Sequence, residues 1–177
     1  MEISTIFGLP AHPLFVHLPV VGIPLMALAV IAYIVLPARP NWLFWTAGAL
    51  SVVVPLATVL TASSGEQLQS MLPAEDQHSS LVSRHVELGE QTEYIVIAFA
   101  ALALAYLALD WWRRNRVTEP HQMQPRFAGR ANTLGRLIVV IGVAAILAGS
   151  VATVWDVRTG HAGAQSSWED VAAESGS

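Results

Sequence analysis

The stretch LIVVIGVAAILAGSVATVWDV, from about Leu137 to Val157, carries no charged side chain until Asp156 near its end. At 1.5 Å per residue, about twenty helical residues cross the ~30 Å hydrocarbon core of a bilayer. The stretch therefore predicts a membrane-spanning helix. Small residues recur along it at spacings of three and four, and they predict a smooth face for close packing against another helix: Gly142, Ala145, Gly149 and Ala152.

Three further apolar runs of similar length precede this one, at about 13–36, 42–62 and 92–111. Hydrophobic residues make up 54% of the chain and charged residues 12%, whereas soluble domains are about a quarter charged. We therefore predict an all-α integral membrane four-helix bundle that forms a single domain over residues 1–168. The small, acidic segment 169–177 is expected to be a disordered tail.

The nine basic residues are all arginine, and six of them crowd the connection between the third and fourth spans. The positive-inside rule places that connection, residues 110–136, in the cytoplasm. Four crossings then leave both termini and the 62–91 loop outside the cell membrane. The absence of cysteine excludes disulfides, iron–sulfur clusters held by thiolates and covalent c-type haem attachment.

Two local features bear on the shape of the outer face. Pro19 and Pro24 are expected to kink or unwind the first helix next to His17. The amphipathic segment SSLVSRHVELGE is expected to continue the third helix outward and to bring His85 close to the membrane boundary.

The topology brings four histidines and a carboxylate to this outer face, so that each helix delivers at least one potential ligand. They are His12, His17, Glu66, His85 and His161. This convergence is the strongest functional signal in the chain. Glu66 has two interpretations: a side chain that orients a ligating histidine, or a solvated residue beyond a helix that Gly65 caps.

The histidines suggest three kinds of site. A single haem b needs two axial imidazoles, for which we expect His17 and His161, with His85 as the substitute for either and with Arg84 or Arg158 pairing with the propionates. A non-haem zinc, copper or iron ion would instead use His12, His17, Glu66, His85 and His161. The third kind is a structural or pH-linked histidine network without a cofactor.

Four sequence blocks resemble the domain-of-unknown-function 2231 family of four-span bacterial membrane proteins: HPLFVH with VVGIPL, SSGEQL, HVELGE and TGHAGAQSSW. They occur in the family's order over nearly the whole chain. The family pattern singles out eight residues that are all present here: His12, His17, Gly65, Glu66, His85, Gly160, His161 and Gly163. Relatives joined to Rieske-type domains imply electron transfer by analogy.

The leading hypothesis is therefore a membrane redox or electron-transfer component that holds one haem b. Its expected partners are membrane lipid and respiratory or redox membrane proteins. We identify no catalytic motif, which favours a non-enzymatic role. Nothing suggests nucleic-acid binding, because the topology already explains the arginines.

Overall fold

The computed structural model describes residues 5–6, 9–74, 76–77, 79–116 and 128–175. Two short antiparallel strands, β1 (Thr5–Ile6) and β2 (Leu9–Pro10), precede the helices. The helices follow in chain order: α1 (His12–Phe15), α2 (His17–Val35), α3 (Asn41–Met71), α4 (Ser80–Arg116) and α5 (Ala128–Ser175).

Four helical segments are long and apolar enough to cross a membrane, which confirms the predicted four spans; α1 and α2 together form the first. The helices form a ring in which α2 packs on α3, α3 on α4, α4 on α5 and α5 back on α2. Large apolar side chains lie on the outside of this ring, among them Leu28, Val53, Ile97 and Val140. An apolar exterior of this extent is suited to contact with lipid tails.

The helices extend well beyond the apolar runs, because hydropathy marks only the part of a helix that lies in the lipid. The expected outward continuation of the third helix is confirmed, since α4 begins at Ser80. Gly65 does not cap a helix, because α3 continues to Met71. Where the sequence suggested a disordered tail, α5 remains helical to Ser175, in a segment whose alanine and glutamate residues favour helix.

The first span is interrupted at Val16, between α1 and α2. Pro19 lacks an N–H group and cannot donate to the carbonyl of Phe15 four residues earlier. That carbonyl instead accepts a hydrogen bond from the Thr61 hydroxyl of α3 at 3.2 Å. The first span is therefore interrupted next to His17, as expected from Pro19, whereas Pro24 lies inside α2 without interrupting it. The Thr61 hydroxyl compensates only in part, because it also bonds to the Ala57 carbonyl oxygen at 2.8 Å.

Aromatic residues of α4 pack into glycine positions of α5 at intervals of seven residues. A Cβ added to Gly149 would lie 2.9 Å from Phe99, and one added to Gly142 would lie 2.9 Å from Tyr106. This spacing is typical of the knobs-into-holes packing of left-handed bundles. The predicted small-residue face is confirmed, since Ala145 is also fully buried.

Each end of the bundle carries its own group of polar side chains. We call residues 11–17, 61–71, 80–92 and 156–168 the histidine end. We call residues 33–45, 106–116 and 133–138 the arginine end.

Candidate functional site: a pair of imidazoles at the histidine end

His12 of α1 is held against α3 by a backbone carbonyl. Its Nδ1 lies 3.0 Å from the Thr61 carbonyl oxygen and 3.3 Å from the Ser64 hydroxyl. A carbonyl oxygen can only accept, so Nδ1 carries the proton and a neutral ring has its lone pair on Nε2. The half-buried ring therefore presents Nε2 as an acceptor or a metal ligand.

Gly65 leaves the room that this ring needs. A Cβ at that position would lie 3.0 Å from Cε1 and 3.2 Å from Nδ1 of His12. Any larger residue would meet the imidazole, which therefore lies directly against the backbone of α3. The glycine that sequence reasoning considered as a helix cap has this packing role.

His85 repeats the same arrangement between α4 and α5. Its Nδ1 donates to the Thr159 carbonyl oxygen at 3.1 Å, and a Cβ on Gly163 would lie 2.9 Å from its Cε1. In both helices a threonine supplies the carbonyl four residues before the glycine that makes room for the ring. The same combination of a threonine carbonyl and a glycine thus fixes His12 between α1 and α3 and His85 between α4 and α5.

The two rings lie close to each other. Their centroids are 6.3 Å apart, and their planes meet at 74°. Neither Nε2 has a hydrogen-bond partner among the described residues, since the bonds of both rings involve Nδ1. The result is a pair of oriented, half-buried imidazoles at one end of the bundle.

His17 and Glu66 lie on more open surfaces. His17 is exposed, and its Nδ1 donates to the Pro13 carbonyl oxygen one turn back at 2.8 Å. Glu66 lies within the length of α3, and its side chain is exposed. Neither side chain has a described contact with the imidazole pair. Over the described part of the chain, no three histidine or acidic side chains come close enough together to hold a metal ion.

His161, Arg84 and Arg158 share a separate groove between α4 and α5. The groove has a volume of about 240 Å³ and is also lined by Leu88, Val157, Ala162 and Gln165. Arg158 lies over the Trp155 ring, 4.8 Å from its centroid. Three residues that the sequence suggested for a haem site therefore lie together, on a face flanking His85.

Two further polar groups at the histidine end lack partners among the described residues. The Oε1 atom of Gln67 is buried without a hydrogen bond. Asp156 is 6% exposed, and no described donor contacts it. Burial of a polar atom without a partner is costly, and Gln67 Oε1 is such an atom.

Sequence reasoning did not identify Thr61, Ser64 or Thr159 as parts of the site. Their contribution depends on a backbone carbonyl or on a hydroxyl inside a helix, which residue type does not reveal. The usable signal was the spacing: Thr61 precedes Gly65 by four residues, and Thr159 precedes Gly163 by four.

Comparison with known proteins adds no assignment: the chain matches no protein-family model, no curated protein and no solved structure. The resemblance to the domain-of-unknown-function 2231 family therefore stays a prediction.

Proposed function

We propose that this protein is a membrane redox component that binds one haem b at its histidine end, through Nε2 of His12 and Nε2 of His85. The observation that carries the proposal is the pair of adjacent imidazoles, each anchored through Nδ1 to a backbone carbonyl. Histidines that ligate metals almost always donate their other ring N–H in this way. The anchoring fixes both the tautomer and the direction of the lone pair.

The donor set fits haem better than a bare metal ion. Zinc and copper sites take three or four protein ligands, and only two imidazoles come together among the described residues. Haem needs only the two axial ligands from the protein. The two imidazole rings, with centroids 6.3 Å apart, are the residues that would hold the haem.

The proposal changes the expected axial pair. The geometry favours His12 with His85 over His17 with His161, because the latter two are exposed and lie on other surfaces. Arg84 and Arg158 flank His85 and are suited to pair with propionates. The bound group would supply one-electron transfer by its iron. The chain would supply two oriented ligands and an apolar bundle that limits access of water.

The setting that we propose is the plasma membrane, with the histidine end outside and redox membrane proteins as partners. The distribution of arginines supports this orientation. It would present the haem to electron donors or acceptors at the outer surface.

Purified protein in detergent tests the proposal through its absorption spectrum and its metal content. We expect a Soret band as isolated or after addition of haemin, and sharp α and β bands of a six-coordinate low-spin iron after reduction. A protein without Soret absorbance under both conditions would contradict it. Stoichiometric zinc or copper without haem iron would decide for the non-haem site.

A structural role is the second candidate, and one observation favours it directly. Each imidazole already joins two helices, His12 linking α1 to α3 and His85 linking α4 to α5. In that case His12→Ala would lower the thermal stability by the loss of about one hydrogen bond, roughly 1 kcal/mol, and haemin would have no effect on either protein. A haemin-dependent rise in the melting temperature of the native chain, lost in His12→Ala, supports the haem site instead.

A further inference from the structure

A buried carboxylate organises the arginine end. Asp110 of α4 is fully buried and accepts hydrogen bonds from the Tyr33 hydroxyl and from Arg39, both at 2.8 Å. Arg114 and Arg113 of the same helix reach it at 2.8 and 3.1 Å. One carboxylate therefore fixes three guanidinium groups.

The charges of this cluster do not balance. Three arginines and one aspartate leave an excess of two positive charges. Each guanidinium has five N–H donors, and Asp110 takes one from each. Arg39 also donates to the Ile34 carbonyl oxygen at 3.4 Å. Most donors of the cluster are therefore available to another acceptor.

These donors lie along an open cleft. Arg39, Arg113 and Arg114 line a volume of about 490 Å³ together with the apolar residues Ile34, Val35, Leu36 and Pro37. The Arg113 and Arg114 side chains are 45% and 41% exposed. The cleft thus has a cationic wall of arginines and an apolar wall formed by residues 34–37. It lies at the end of the apolar part of the first span.

We propose that this cleft binds the phosphate group of an anionic phospholipid in the leaflet at the arginine end. Arginine pairs with phosphate through two parallel hydrogen bonds, and basic pockets between spans on the cytoplasmic side suit anionic headgroups. The apolar wall favours a lipid over free phosphate, because it lies where acyl chains would continue from the headgroup. The inference depends on the membrane placement of the helices and not on haem.

The test compares lipid binding by the full-length native chain and by Arg113→Gln. Arg113 is the most exposed of the three arginines, so Arg39 and Arg114 still pair with Asp110 in the variant. Arg136→Gln is the matched control, because Arg136 is exposed, lies at the same end and does not line the cleft. Native mass spectrometry measures bound phosphatidylglycerol against phosphatidylcholine, and a parallel titration uses inorganic phosphate alone.

We expect the native chain to retain phosphatidylglycerol in preference to phosphatidylcholine. Arg113→Gln should weaken that binding about fivefold, which corresponds to about 1 kcal/mol for one basic residue at an anionic surface, and Arg136→Gln should change it much less. Equal loss in the two variants would overturn the proposal, as would equal retention of the two lipids. Inorganic phosphate that binds the cleft as tightly as phosphatidylglycerol would show an anion site without lipid specificity and would also overturn it. A circular dichroism melt of Arg113→Gln establishes that the variant is folded.

Discussion

At the scale of single residues, each imidazole of the pair lies where a glycine leaves room for it and a threonine carbonyl oxygen accepts a hydrogen bond from its Nδ1–H. Gly65 and Thr61 do this for His12, and Gly163 and Thr159 do it for His85. The rings are therefore oriented by the backbone, without the need for a carboxylate. Glu66, the carboxylate that the sequence suggested for orienting a histidine, is exposed instead.

Gly163→Ala tests the glycine directly. The added Cβ would lie 2.9 Å from His85 and would force the ring away from the Thr159 carbonyl. We expect a net loss of about 1–2 kcal/mol from the broken hydrogen bond and the crowding, measured by thermal unfolding in detergent.

The matched control is Gly160→Ala in the same helix, where an added Cβ meets nothing within 4 Å. Its stability should stay the same or rise by up to about 1 kcal/mol, because alanine favours helix over glycine. Equal stability of the two variants would show that His85 does not depend on Gly163.

Replacement by asparagine should affect the stability of the protein differently at two buried aspartates. Asp110→Asn removes the charge that holds three arginines, and we expect a loss of about 3 kcal/mol, the lower end of the range for a broken buried ion pair, because two of the arginines are partly exposed. Asp156→Asn removes a buried carboxylate that contacts no described donor and should leave stability unchanged or higher.

Thermal unfolding of both aspartate variants under one set of conditions makes this comparison. If Asp156→Asn destabilised the protein as much as Asp110→Asn, the Asp156 carboxylate would have a partner that the described residues do not include.

At the scale of the helices, α4 and α5 are matched over several turns by residues spaced seven or fourteen apart. His85, Phe99 and Tyr106 of α4 meet Gly163, Gly149 and Gly142 of α5, respectively. The same register thus continues from the apolar core into the histidine end. The helix pair that packs the core also fixes the position of one of the two proposed ligands.

Phe99→Ala would test this register by leaving a cavity beside Gly149. Truncation of a buried phenylalanine costs about 3–5 kcal/mol in soluble proteins. We expect the lower end here, because helices in lipid associate through packing more than through the hydrophobic effect.

Tyr94→Ala, in the same helix but 73% exposed, is the control and should have little effect on the melting temperature. A melting temperature for Phe99→Ala that matches that of Tyr94→Ala would contradict the close contact with α5.

The spans, the one-sided grouping of histidines and the small-residue face could all be predicted from the sequence, because they follow from hydropathy, crossing number and spacing. The proposed preference for His12 over His17 as a haem ligand could not be predicted from the sequence. His12 is anchored by the Thr61 carbonyl oxygen of α3, 49 residues away in sequence, and such a tertiary contact is not visible in the residue pattern. The role of Asp110 was missed for a similar reason, since its partner Tyr33 lies 77 residues away in sequence.

At the scale of the whole molecule, the bundle has a pair of imidazoles at one end and an arginine-rich cluster at the other. This asymmetry predicts the orientation in the membrane. It also separates the two proposed ligands, a haem at the histidine end and an anionic lipid at the arginine end.

The orientation can be measured with single cysteines, because the sequence contains none of its own. Ser167→Cys at the histidine end and Thr133→Cys at the arginine end are both exposed positions. In intact cells, a membrane-impermeant maleimide should label Ser167→Cys alone, and permeabilised cells should show labelling of both. Labelling of only Thr133→Cys in intact cells would reverse the orientation.

The most direct measurement of the central claim is the reduced-minus-oxidised absorption spectrum of the purified native chain beside His12→Ala, His85→Ala and His17→Ala, each supplied with haemin. We predict a six-coordinate low-spin haem spectrum for the native chain and for His17→Ala, and its loss or conversion to a five-coordinate form in the other two. Retention of the low-spin spectrum by both His12→Ala and His85→Ala, or its loss in His17→Ala, would contradict the assignment of His12 and His85 as the ligands.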